Sequence, residues 1–135
     1  SGRKLEGARA AFARNPLLVR MGGSWYVRSI QIATADLSLK IYCAIDEGLV
    51  LTLGKGEGMV ENLAAALDGV AQEIGPLQLV VGCDCILRRL EAEVTGIGPA
   101  LASVFQRHHV VGFSTYGEQS GAVHVNQTFT GVAIG

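Results

Sequence analysis

The sequence predicts an α+β fold: a mostly antiparallel mixed sheet with helices packed on one face. Three observations carry this. Short apolar runs rich in Val, Ile, Tyr and Trp cluster before residue 54 and return after residue 109. Helical periodicity is confined to a short opening segment and to the middle of the chain. Glycine and proline mark almost every boundary between them. Grouping strands and helices in this way, rather than alternating them singly, is the pattern of α+β domains.

The opening segment, residues 3 to 14, places Leu5, Ala8, Ala11 and Phe12 at helical spacing until Asn15-Pro16 stops it. Its apolar side is narrow, so this helix is expected to dock on the rest. Pro16 to Arg20 is extended, and Gly22-Gly23 is a turn. Trp25 to Ala33 and Leu37 to Ile45 then form a predicted hairpin around Thr34-Ala35-Asp36. In its second strand Leu37, Leu39, Ile41, Cys43 and Ile45 alternate with Ser38, Lys40, Tyr42 and Ala44, the pattern of a half-buried strand. Cys43 lies on the apolar side and reads as a small buried hydrophobe. Arg28, inside the first strand, reads either as a solvated edge charge or as a buried anchor for an ion pair or ligand.

Leu49 to Leu53 is a further strand. The loop Gly54-Lys55-Gly56-Glu57-Gly58 matches neither G-x-x-x-x-G-K-[ST] nor G-x-G-x-x-G, so it does not read as a phosphate loop. Met59 to Ile74 is the clearest helix, its stripe of Met59, Val60, Leu63, Leu67, Val70, Ala71 and Ile74 opposed by Glu61, Asn62, Asp68 and Gln72. Gly75-Pro76 ends it. Leu77 to Gly82 is nearly all apolar, as expected of a central strand covered on both faces, and it delivers Cys83-Asp84-Cys85. Helices follow over Ile86 to Val94 and from Pro99 to Arg107. Val110 to Tyr116 is a strand, Gly117 to Gly121 a turn, and Val123 to Ile134 the closing strand.

At 135 residues the chain has the length of one domain with a real core. Its hydrophobic fraction of 49% against 17% charged leaves an apolar surplus to bury in a core, a partner or a neighbouring domain. A net charge of −1 with no basic run argues against nucleic acid. No apolar stretch reaches the ~20 residues of a membrane span. Three cysteines, an odd number, argue against a disulfide framework and for a reducing, cytoplasmic setting. The start at Ser1-Gly2-Arg3 suggests a piece of a longer protein.

The closing stretch concentrates the polar chemistry. On a single strand His124, Asn126, Thr128 and Thr130 would share one face, either solvated or the floor of a polar pocket. Glu118 follows Tyr116-Gly117 in the preceding turn, as a solvated acid or one held over that pocket. Cys83-x-Cys85 lacks a second ligand pair of zinc spacing, and His108-His109 are adjacent at a helix end, where the dipole favours their charged form. A cysteine nucleophile with His109 or His124 has no local support, and paired acids are absent, so the chain is not expected to be an enzyme.

Val111-Gly112-Phe113-Ser114-Thr115-Tyr116-Gly117-Glu118, followed by His124-Val125-Asn126-Gln127-Thr128, resembles the closing motif of FIST sensory domains. Tyr26-Val27-Arg28-Ser29, the turn Ala44-Ile45-Asp46-Glu47-Gly48-Leu49-Val50-Leu51 and Cys85-Ile86-Leu87-Arg88 resemble its earlier elements in order. The resemblance spans residues 2 to 135 as the C-terminal half of such a domain, the N-terminal half lying outside the chain. The wording GFSTYGEQ, HVNQTFTG and CDCILRR is most similar to the nitric-oxide-sensing protein branch. That resemblance implies a haem b cofactor with nitric oxide as its ligand, and a histidine kinase, diguanylate cyclase or phosphodiesterase as partner. His124, His109 and His108 are then the candidate haem ligands, in that order, with no metal besides the haem iron. The alternatives are a small polar ligand such as an amino acid, held by Arg28, Tyr116, Glu118, Asn126 and Thr128, or a module for protein interaction, including a homodimer.

Overall fold

A computed structural model of the chain describes residues 11–135, leaving aside the side chain of Ser120. The predicted opening helix falls mostly outside these residues, and its last turn, residues 11–14, is helical. The order after it is β1 (Leu17–Met21), β2 (Ser24–Arg28), β3 (Ile30–Ala33), β4 (Leu39–Ile41), β5 (Leu51–Leu53), α1 (Met59–Ile74), β6 (Leu79–Cys85), α2 (Ile86–Thr95), α3 (Gly98–Arg107), β7 (Val110–Thr115), β8 (Glu118–Ser120), β9 (Val123–Val125) and β10 (Phe129–Ile134). The class is α+β, as predicted, but the strands do not form one sheet. They form a three-stranded sheet β2-β1-β5, a second three-stranded sheet β10-β6-β7, and the hairpins β3-β4 and β8-β9.

All pairings are antiparallel except β6 with β7, which are parallel. A parallel pair needs a crossover, and α2 and α3 supply it. Helices α1 and α2 stop as the sequence dictates: Gly75 and Gly96 take positive φ, 94° and 73°, where a side chain would be strained. The core lies between the helices and one face of β10-β6-β7. Leu63 and Leu67 of α1, Val80 of β6, Ala92 of α2, and Leu101 and Val104 of α3 pack there with Leu77, and Phe105 meets Phe129 at 5.7 Å between ring centroids.

Five expectations need correction. The strand predicted over Trp25 to Ala33 breaks at Ser29, and the one over Val123 to Ile134 breaks at Asn126 to Thr128. Gln127 there has φ +52°, a left-handed conformation that ends strand alternation. The turn predicted at Gly117 to Gly121 contains strand β8. Finally, β6 is central but covered on one face only by the described residues. Val80, Val110 and Ala133 face the helices, whereas Val81, Val111 and Val132, each one residue along, point to the other side and are exposed. The half-buried pattern predicted for Leu37 to Ile45 also fails, since only Cys43 is buried and Leu37 is 88% exposed.

Candidate functional site

The breaks in the two long strands create a buried polar layer. Five polar or charged residues are buried among those described: Arg28, Ser29, His108, Glu118 and Asn126. Four of them come from the family-like segments at Arg28-Ser29 and Glu118 to Thr128. Arg28 ends β2, Glu118 opens β8, and Asn126 follows β9. The end of β6 closes the layer, because Cys85 donates its amide to the Thr128 carbonyl at 3.0 Å.

Asn126 is 0% exposed and ties three segments together. Its Oδ1 accepts the Cys43 thiol at 2.7 Å, and its Nδ2 donates to the Tyr116 carbonyl at 3.4 Å. Glu118, 3% exposed, accepts the Thr128 hydroxyl at 2.6 Å on Oε2 and the Thr115 hydroxyl on Oε1. Arg28, 7% exposed, donates through Nη1 to the carbonyls of Val27 at 3.2 Å and His124 at 3.3 Å. Its buried Nε has no partner. No carboxylate lies within ion-pair distance of Arg28 among the described residues. Ser29 donates to Gln127 Oε1 at 3.0 Å, and Gln127 in turn donates to the Ala13 carbonyl at 2.5 Å, which holds the strained turn in place.

The structure therefore brings together Arg28, Glu118, Asn126 and Thr128 of the predicted pocket. Tyr116 is 79% exposed and joins the layer only through its backbone carbonyl. His124 is likewise exposed and contributes its carbonyl, to Arg28 and at 3.9 Å to the Cys43 sulfur, while its ring lies against Gly117 so closely that a Cβ there would overlap Nε2. His108 and His109 lie apart, after α3. His108 Nε2 is 3.3 Å from Asp68 and also meets Arg107 Nε at 3.2 Å; unprotonated it accepts from the arginine, protonated it donates to the carboxylate. His109, at φ +53°, points Nδ1 at the Leu77 carbonyl at 2.8 Å. A carbonyl only accepts, so Nδ1 carries a proton and donates it there.

Sequence reasoning undervalued two neighbours of the layer. Cys43 is buried as expected, but against Asn126 and Arg28 rather than in an apolar core. Asp84, at the end of β6, pairs with Arg88 one helical turn on at 2.6 Å. Burial raises its carboxyl above the usual range, Arg88 opposes that, and Glu118 adds to it. The i, i+4 spacing of Asp84 and Arg88 was the only signal in the sequence for this pair.

Both Cys43 and Cys85 have thiols pushed above the ordinary value of 9.0, in each case chiefly by burial. The unfolded chain ionises these thiols near that value while the folded chain keeps them protonated. Their contribution to stability is thus complete below pH 9.0 and is lost as pH rises through the higher folded values. Urea midpoints measured from about pH 8 to pH 10.5 are expected to fall, and to fall less steeply in Cys43→Ala. Alkylation of the native protein at pH 8 should label the half-buried Cys83 first; labelling of Cys85 at an equal rate would contradict the buried placement.

Haem iron needs an axial ligand that opens into a large apolar cavity. Three cavities among the described residues, of about 450, 520 and 250 Å³, include no histidine in their walls. None of these three therefore presents an axial histidine to a haem. Nor does any group of three or more His, Cys, Asp or Glu among them stand in position to hold a metal ion. No described helix is long and apolar enough to cross a membrane.

No curated protein matches the chain, and no solved structure matches it. The family described as FIST C domain matches residues 3–121, which takes in the Arg28 strand, the β6 end and β8 with Glu118, and stops before β9, Asn126 and Thr128. The chain belongs to the FIST C family, a sensory domain family of signal transduction.

Proposed function

We propose that the buried layer senses a small zwitterionic ligand such as an amino acid. One observation carries this reading: Arg28 and Glu118 are buried charges of opposite sign that both act on the Cys43 thiol, yet they are not paired with each other. A bare buried charge is expensive, and a partner that supplies both a carboxylate and an ammonium satisfies both ends at once. The unpartnered Nε and the arginine fork suit a carboxylate. Glu118, hydrogen-bonded by Thr115 and Thr128, suits an ammonium. Entry requires the β8-β9 hairpin to part from β2, because Glu118 and Arg28 sit on those two elements. That movement is the signal: a ligand that binds one position of the hairpin better shifts its population, and a partner that reads the hairpin responds. A cytoplasmic histidine kinase, diguanylate cyclase or phosphodiesterase is the partner of this reading.

The test is a thermal-shift and calorimetric screen of the whole protein against the twenty common L-amino acids. At least one is expected to raise the melting temperature, with Arg28→Met and Glu118→Gln each weakening binding at least about tenfold. No shift with any amino acid at millimolar concentration sinks the reading.

One observation favours the haem-based, nitric-oxide-sensing alternative. His109 fixes its Nδ1 on a backbone carbonyl and presents Nε2 outward, the arrangement by which histidines are oriented as metal ligands. A haem there would need its second wall from outside the described residues. Titration with haemin separates the readings: a sharp Soret band lost in His109→Ala but kept in His124→Ala and His108→Ala supports haem at His109. No band in the wild type removes it.

A further inference from the structure

Between α3, the latter part of α2 and the free edge of β7 lies a cavity of about 450 Å³, within the usual range for small-molecule sites. Its shape follows from the sheet. Gly131, Gly82 and Gly112 lie side by side across β10, β6 and β7, all on the face that the helices cover. Of these, Gly82 and Gly112 line the cavity, and without side chains they leave a flat backbone floor. Phe129 covers part of it, since its ring atoms would be 2.5 Å from a Cβ on Gly82. The remainder stays open, walled by Phe105, Phe129 and Leu101.

The charges at the mouth are paired within the protein. Arg89 is tied to Glu93 at 3.0 Å, and Asp84 is tied to Arg88. Asp84 still keeps one oxygen available. Its Oδ1 is held by Arg88 Nε at 2.6 Å, and its Oδ2 has no hydrogen-bond partner among the described residues. Ser114, its neighbour across the parallel pair, adds a hydroxyl to the same rim. A flat floor between aromatic walls suits a planar ring, and a carboxylate with a free oxygen suits a cation or N–H donor.

We propose that this cavity binds a flat aromatic cation, its ring between Phe105 and the glycine floor and its positive group on Asp84. The site shares no lining residue with the Arg28–Glu118 layer, so it stands or falls independently of the amino-acid reading. Asp84 does lie at the end of β6, whose last residue bonds to Thr128, so an occupant here touches the strand that closes the layer.

Tryptamine and its neutral counterpart 3-methylindole are suitable probes, titrated calorimetrically into the whole protein. Tryptamine is expected to bind at least about tenfold more tightly, the size of one charge-assisted hydrogen bond. Asp84→Asn should bring the two within about twofold. Ala102→Phe, at an exposed position on α3 that lines the cavity, should weaken both at least about tenfold. In the wild type, amide shifts caused by tryptamine should centre on Gly82, Gly112 and Ser114, a readout that needs no variant to fold. Absence of tryptamine binding, equal affinity for the two probes, or shifts centred elsewhere would overturn the proposal.

Discussion

Gly112→Ala is expected to destroy the pairing of β7 with β6. Gly112 sits opposite Gly82 in the parallel register, and a Cβ on it would fall inside the van der Waals shell of the Gly82 carbonyl oxygen. That obstacle is backbone on a central strand held from both sides, so no side-chain rotation relieves it. The edge strand must leave, and with it the segment that feeds Glu118 into the buried layer. A loss above about 4 kcal/mol is expected, enough to abolish cooperative unfolding in a domain of ordinary stability. Gly82→Ala is the control. Its Cβ meets the Phe129 ring at 2.5 Å, a side chain that can swing toward the open part of the cavity, so about 1–3 kcal/mol is expected. Urea denaturation followed by circular dichroism measures both. Equal midpoints for the two variants would show that the sheet yields at Gly112 and that the glycine row is not fixed by close approach of the backbone.

The sequence makes the helices legible because their information is local. The stripe from Met59 to Ile74 and the glycines at 75 and 96 state both the period and the stop. The existence of most strands is legible for the same reason. Where the strands break is not, because the breaks are made at long range: Ser29 and Gln127, 98 positions apart in the chain, hold each other through one hydrogen bond. No window of residues contains both. The same cause misplaces the closing strand's polar face. Strand β9 ends at Val125, so Asn126 turns into the interior while His124 stays outside, and residues of equal parity part company. Half of the candidate site was therefore visible as residue types, Arg28, Glu118, Asn126 and Thr128. The participation of Cys43 was hidden, since an alternating strand pattern cannot tell an apolar neighbour from an amide brought by another segment.

The uncovered face of β10-β6-β7 has a related explanation. Val81, Val111 and Val132 give their strands the apolar continuity expected of a sheet covered on both sides, yet the described residues cover only one. A contiguous apolar face of this kind is characteristic of a surface that meets another. Which surface meets it is a question about the whole protein, and it bears on signalling because β6 joins that face to the polar layer through Cys85 and Thr128.

A double-mutant cycle on Arg28 and Glu118 then decides whether the layer acts as one electrostatic unit. Arg28→Met keeps most of the buried volume but leaves the carbonyls of Val27 and His124 without their donor. Glu118→Gln keeps the shape and deletes the charge, altering the acceptors offered to Thr115 and Thr128. Each single change leaves one buried charge without its opposite and is expected to lower stability by about 2–4 kcal/mol. The double variant buries neither charge, so its loss should fall short of the summed singles by about 1–2 kcal/mol. Ligand sharpens the contrast. At a hundred times its dissociation constant, a bound amino acid should add about 2.7 kcal/mol to the wild type, and much less to either single variant, whose affinity is reduced. Additive singles of under about 0.5 kcal/mol each would mean that the two charges neither sense each other nor carry weight in the fold, and the zwitterion reading would lose its basis.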